Sequence, residues 1–211
     1  MKKLRILTFL LSCIAVLGMT SCNDDTPANT ETPLTDSQIA YGFSLLKGTH
    51  TGILVHGTGE YRNGKQINDT VKVSWEFQND SSLVIHKVPG NILAANITDV
   101  DIRKTMVGQG EQDIRCRYSF VSVDPLVIAI NPKPQTYEKL NYNGKDHKVE
   151  LLYLHNSAYS AGAIDKQSQQ FSMQVIALAI RIDEKQYQTF KTANALMFYS
   201  DDKIVLPGTA R

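Results

Sequence analysis

The sequence predicts a mainly β domain, an antiparallel β-barrel or β-sandwich with a short N-terminal helix, and three observations carry that expectation. About eight or nine short runs alternate apolar and polar residues, the period of a half-buried strand. Hairpin signals separate many of them, at Asn63-Gly64, Asn79-Asp80 and Asn143-Gly144-Lys145. Proline and glycine punctuate the rest, at Pro89-Gly90, Asp124-Pro125 and Pro132.

Taken in order, Thr35 followed by Gln38 reads as a capping box, and Ile39, Phe43 and Leu46 recur at helical spacing. A helix over about Asp36 to Leu46 follows, ending at Gly48, a residue suited to a left-handed terminus. Strands are expected at Ile53 to Tyr61, Thr70 to Gln78 and Ser82 to His86, forming a meander. After Pro89-Gly90 a partly periodic stretch from Asp99 to Val107 can form a short helix. Strands resume at Arg115 to Val123, Val127 to Asn131, Tyr137 to Tyr142 and Lys148 to His155. Phe171 to Ile182 and Ala195 to Tyr199 supply two late strands, with a turn of helix expected between them at Lys185 to Phe190.

The chain before this domain reads differently. Lys2, Lys3 and Arg5 precede an apolar run from Ile6 to Gly18, too short to span a bilayer as a helix and laid out as a signal peptide. Met19-Thr20-Ser21-Cys22 then resembles the lipobox of a bacterial lipoprotein, with small residues ahead of the thiol that accepts the lipid. The expected organisation is a leader over 1–21, a lipidated Cys22 with a polar tether over 22–34, and one β-rich domain over 35–211. More than one acyl chain makes such an anchor stable. Asn23-Asp24-Asp25 directly after the cysteine resembles the surface-export signal of Bacteroides-type lipoproteins, so the expected place is the outer membrane, facing outward.

The formal charge is +1, and loss of the three basic leader residues would leave the remainder near −2. That balance gives no electrostatic footprint for nucleic acid. The expected partners are therefore a membrane, through the lipid anchor, and a glycan or an envelope protein. Of three cysteines, Cys13 goes with the leader and Cys22 takes the lipid, leaving Cys116 without an internal disulfide partner. Cys116 alternates with Ile114, Tyr118 and Phe120 on the apolar side of a strand, and reads as a buried structural thiol.

Signatures of catalysis are missing: no nucleophile elbow, no metalloprotease helix, no phosphate-cradling glycine loop and no paired cysteines. The expectation is a non-enzyme with no cofactor and no metal. His50 and His56 lie about 20 Å apart along one strand, too far to share an ion. His147 and His155 meet the same objection. The adjacent carboxylates Asp183-Glu184 and Asp201-Asp202 point apart and suit solvated turns. Tyrosine is the softer clue, because its ring joins an apolar face to a polar tip that can stack on sugars. Tyr142, Tyr153 and Tyr159 are the candidate ligand-binding residues, and the loop Asn156 to Gly162 is the first place to look. Asp69-Thr70-Val71 resembles an O-glycosylation acceptor of Bacteroides-type envelopes, with Asn68-Asp69 expected to form an exposed turn and Thr70 as the modified residue.

An ordered set of short motifs links these pieces: Gly48-Thr49-His50-Thr51-Gly52, Val73-Ser74-Trp75, Leu93-Ala94-Ala95-Asn96-Ile97, Asn131-Pro132-Lys133, Tyr142-Asn143-Gly144 and His147-Lys148-Val149. Together they resemble a family of small Bacteroides-type envelope lipoproteins classed as a domain of unknown function, over about residues 35 to 205. The resemblance implies an envelope lipoprotein and carries over no catalytic residue. The sequence departs from it at His50, where the aromatic of a Gly-x-Tyr-x-Gly pattern is commoner. The leading expectation is a binding or accessory protein for a glycan or envelope complex. The alternative is a calycin-like barrel around a small apolar ligand, to be decided by whether large side chains fill the interior.

Overall fold

The computed structural model describes residues 33–204; the leader, Cys22 and most of the tether lie outside the described residues. Helix α1, Asp36–Leu46, forms where the capping box predicted it: Thr35 caps the Gln38 N–H, and the Gln38 side chain accepts from the Thr35 N–H at 2.9 Å. Its last residue is Leu46, as the helical spacing predicted. Lys47 is already extended, and Gly48, at φ 102°, turns the chain into the first strand.

Ten strands follow among the described residues: β1 Gly48–Arg62, β2 Lys65–Asn79, β3 Ser82–Pro89, β4 Glu111–Val123, β5 Leu126–Pro132, β6 Gln135–Tyr142, β7 Lys145–Tyr153, β8 Ala161–Ile164, β9 Gln170–Ile182 and β10 Lys185–Lys203. Helices α2, Gly90–Leu93, and α3, Val100–Val107, lie between β3 and β4. Every pairing is antiparallel, in the order β10-β1-β2-β3-β4-β5-β8-β9-β7-β6, and β10 also pairs with β9. Because β10 bonds to both β1 and β9, eight strands (β1 to β5, β8, β9 and β10) form a closed ring. Of the two architectures left open by the sequence, the barrel is therefore the one adopted. Strands β5 and β6 follow one another along the wall, as do β7 and β8, so that β8 covers the first half of β9 and β7 its second half.

Inward residues alternate along each strand, and at eight strands the interior is just wide enough for side chains to fill it. Trp75, Phe77, Phe171 and Phe198 are all within 1% of complete burial. Phe77 meets Phe171 edge-on at 5.6 Å and Tyr118 at 5.2 Å, while Trp75 meets Phe198 at 6.3 Å. His50 stands inside the same cluster, stacked on Trp75 at 6.3 Å and bonded through Nε2 to the Leu46 carbonyl at 2.8 Å. Helix α1 covers this lower end, where Leu46 is fully buried and Gly42 lets the helix approach the Phe120 ring.

At the upper end β1 pairs with β10 only from Gly52 to Val55, and beyond it the β1–β2 hairpin projects from the wall. The α2–α3 segment fills the opening. Asn194 donates to the Ile92 carbonyl at 2.8 Å, and Gln188 donates to the Asn96 carbonyl at 2.8 Å while accepting from the Thr98 N–H at 3.0 Å. Ile92, Leu93, Ile97, Ile102 and Met106 are buried beneath it.

Two expectations are corrected here. Lys185 to Phe190 is not a turn of helix but the start of the 19-residue strand β10. Asp183 and Glu184, at φ 46° and 66°, make a two-residue hairpin turn of the same kind as Asn63-Gly64 and Asn143-Gly144, although neither is a glycine or asparagine. Asn68 and Asp69 are not a turn: they lie within β2, paired with Gly57 and His56, and the turn is at Asn63-Gly64.

Closure is tightest at Gly52, where an added Cβ would collide with the Tyr199 carbonyl oxygen and stand 2.8 Å from the Trp75 ring. Gly52→Ala should cost on the order of 3 kcal/mol and lower the melting midpoint by roughly 10 °C. Gly57→Ala, which meets only the movable end of the Gln66 side chain, should change stability by less than about 0.5 kcal/mol. Thermal unfolding of both variants checks the contrast.

Candidate functional site

The interruption between β7 and β8 builds a cleft on the wall. Both strands share one edge of β9, and residues 154–160 leave it between them. The Leu154 N–H still donates to the Ile176 carbonyl at 2.8 Å. At the other end Ser160, fully buried, donates through Oγ to the Leu154 carbonyl at 2.8 Å, and its own carbonyl accepts from the Ile130 N–H at 2.8 Å. The two ends are thereby pinned close together, so the intervening residues must arch away from the sheet. Asn156 shapes the arch: its Oδ1 accepts from the Ala158 N–H at 2.9 Å, and its carbonyl accepts from the Tyr159 N–H at 2.9 Å. His155 ties the arch to β5, donating from Nε2 to the Pro132 carbonyl at 3.1 Å.

Beneath the arch lies the outer face of β4 and β5. Cys116 and Tyr118, Ile128 and Ile130 face inward, so Arg117, Ser119, Ala129 and Asn131 face out. The register sets Arg117 opposite Asn131 and Ser119 opposite Ala129, which in turn faces Ala161 on β8. Small side chains make the floor shallow. His155, Asn156 and Ser157 wall one side, and the open cleft has a volume of about 320 Å³. That is the low end of the range for small-molecule sites. The lining carries one guanidinium, side-chain amides and hydroxyls, and no carboxylate.

The three tyrosines singled out from sequence are not brought together. Tyr159 is half exposed on the arch itself, its carbonyl accepting from Gln174 Nε2 at 2.8 Å. Tyr153 faces the interior, where burial pushes its phenol well above the ordinary range, so it offers no surface to a ligand on the wall. Tyr142 sits at the upper rim, its ring 4.3 Å from that of His147. Cys116 is buried, and its thiol is likewise pushed up by desolvation. Thr70 is exposed on β2, opposite Val55, and Cys22 lies outside the described residues. Among the described residues no cluster of three or more histidine, cysteine or carboxylate side chains could hold a metal.

The upper rim is a satisfied network. His147 Nδ1 bonds Asp183 Oδ2 at 2.8 Å, and the Lys148 N–H donates to Asp183 Oδ1 at 3.0 Å, together holding that carboxyl below its usual range. Asp99 caps α3 through the Ile102 and Asp101 N–H groups and accepts from Tyr187 Oη at 2.8 Å, so its carboxyl is lowered too. These bonds fasten the β6–β7 and β9–β10 hairpins and α3 into one rim. Sequence reasoning missed Arg117, Ser119 and Ala129 because only the β4–β5 register sets them beneath the arch. Asn131 and the loop were in view, but nothing local shows that they face each other.

A family model described as a domain of unknown function, DUF4840, matches residues 45–182. The chain belongs to this family. No curated protein and no solved structure matches it. The DUF4840 segment contains the whole cleft and strands β1 to β9, whereas β10, which closes the ring, lies beyond its matched end.

Because the folded-state value of Asp99 is lowered from 3.8, its contribution to stability is fully present above that pH. It drains away as the pH falls below 3.8 through the folded value. Asp99→Asn keeps the cap but removes the charge, so melting curves of wild type and variant should differ at pH 7 and converge in acid. A gap unchanged by acid would contradict the assignment.

Proposed function

We propose that this protein is a non-enzymatic, lipid-anchored envelope protein that binds a glycan in the cleft beneath residues 154–160 and faces outward from a Bacteroides-type outer membrane. The cleft is the observation that carries the binding reading: hydroxyls, amides and a guanidinium converge over a floor of small side chains, with the half-exposed Tyr159 ring on the same arch. Hydroxyl-rich ligands suit such a lining, because hydrogen bonds orient them and an aromatic face can stack on a ring. Of the four carboxylates noted in the sequence, Asp183 bonds His147 and Asp201 pairs with Lys72 at 3.3 Å. That supports binding over acid–base chemistry. The calycin-like alternative has its barrel, but the aromatic side chains packed inside leave the apolar-ligand reading with less support.

Anchoring rests on the leader layout and the Ser21-Cys22 junction, and outward display on Asp24 and Asp25 beside the anchor. Among the described residues no helix is long and apolar enough to cross a membrane.

A glycan array probed with the full chain tests binding. Ala129→Phe fills the floor of the cleft without touching the interior and should lower any saccharide signal at least about tenfold. A signal untouched by that change would place binding elsewhere.

Metabolic labelling with a palmitate analogue should mark the wild-type chain in its native host and not Cys22→Ala, and protease added to intact cells should remove the domain. The same native protein should carry sugar on Thr70 by intact mass. A labelled Cys22→Ala chain or a protected domain would overturn the anchoring or the orientation respectively, and an unmodified Thr70 the glycosylation.

A further inference from the structure

Two arginines on the outer wall of this barrel are treated in opposite ways. On β9, Arg181 lies opposite Glu150 of β7 and bonds it through Nε at 2.6 Å, an ordinary cross-strand charge pair. On β4, Arg117 lies between Ser82 of β3 and Asn131 of β5, both neutral. Among the described residues the Arg117 side chain has no ion-pair or hydrogen-bond partner. The residue instead lines the cleft.

The other polar groups of the lining can donate to an acceptor. Asn156 spends its Oδ1 on the Ala158 N–H, which leaves its amide N–H groups to offer. Ser119 and Ser157 add hydroxyls, and Asn131 a second amide. Arg115 and Lys133 flank Arg117 on the same face, and the Lys133 N–H donates to the Arg115 carbonyl at 2.8 Å. With no carboxylate in the lining, an anion entering here meets donors and positive field and no like charge. A planar guanidinium in such a place favours a two-oxygen partner, held by parallel hydrogen bonds.

We infer that the cleft selects acidic saccharides, seating a sugar carboxylate or sulfate ester on Arg117 while Asn131, Asn156 and Ser157 bond the ring hydroxyls. The inference rests on the cleft being the glycan site. Its volume of about 320 Å³ admits roughly one or two sugar rings, so the acidic unit is recognised locally and the remainder of the chain lies in solvent.

Calorimetric titration of the full chain in detergent micelles tests this with three probes: a galacturonate tetrasaccharide, a sulfated galactan tetrasaccharide without carboxylates, and neutral maltotetraose. The expected result is that at least one acidic probe binds about tenfold or more tightly than the neutral one, and that added salt weakens it. Arg117→Gln should remove that preference, Arg117→Lys should restore part of it, and Ala129→Phe should abolish binding of every probe. Thermal melting confirms that each variant is folded. Whichever acidic probe binds tells carboxylate from sulfate. If the neutral probe binds as well as both acidic ones, and Arg117→Gln changes nothing while Ala129→Phe still abolishes binding, the acidic preference is overturned and the glycan site stands. If no probe binds, or if Ala129→Phe leaves binding intact, both are overturned.

Discussion

Everything in this molecule hangs on the double pairing of β10, whose backbone bonds β9 along one edge and β1 along the other. Without that strand the remaining wall would be an open sheet with two bare edges and an exposed aromatic face. With it, the aromatic cluster of Trp75, Phe77, Phe171 and Phe198 is enclosed, and burial of those rings is the chief return on the ordering of so many residues. The contact is close enough that Gly52, beside the Trp75 ring, has no room for a methyl group.

Closure also explains where the barrel is irregular. Strands β1 and β10 stay together only over Gly52 to Val55 with Met197 to Ser200, and above that point the wall opens. The α2–α3 segment occupies the gap, fastened to β10 by Asn194, Gln188 and Tyr187. Residues that read as an interruption after Pro89-Gly90 thus act as a lid for the core. The lower end is served by α1 in the same way, so that the barrel is stopped at both ends and filled between them, and its outer wall is what remains open to solvent.

The wall acquires a cleft because β9 is longer than either partner on its free edge. β7 and β8 divide that edge, and the seven residues between them are forced outward by the bonds at Leu154 and Ser160. The arch costs little, since Asn156 satisfies its own turn and His155 docks on the Pro132 carbonyl. Its position over Ala129 and Ser119 turns a flat sheet into a concave surface, and the unpaired guanidinium of Arg117 gives that surface its sign.

How much of this the sequence carried can be judged residue by residue. The capping box at Thr35 and Gln38, the Asn-Gly hairpins, the inward side of Cys116 and the alternation of most strands were legible, because each depends on neighbours a few positions away. Lys185 to Phe190 was misread for the same reason: its local pattern is ambiguous, and what makes it a strand is β9 beside it and the Asp183-Glu184 turn. The local pattern likewise determined a β-rich domain, while barrel or sandwich stayed open, since both satisfy the same alternation. That choice belongs to a pairing between residues 148 positions apart, Gly52 with Ser200, which no local pattern records. The site follows the same rule. Loop 156–162 announced itself by composition, but Arg117 entered only when register placed it between two neutral neighbours and beneath the arch, a matter of contacts across strands rather than along the chain.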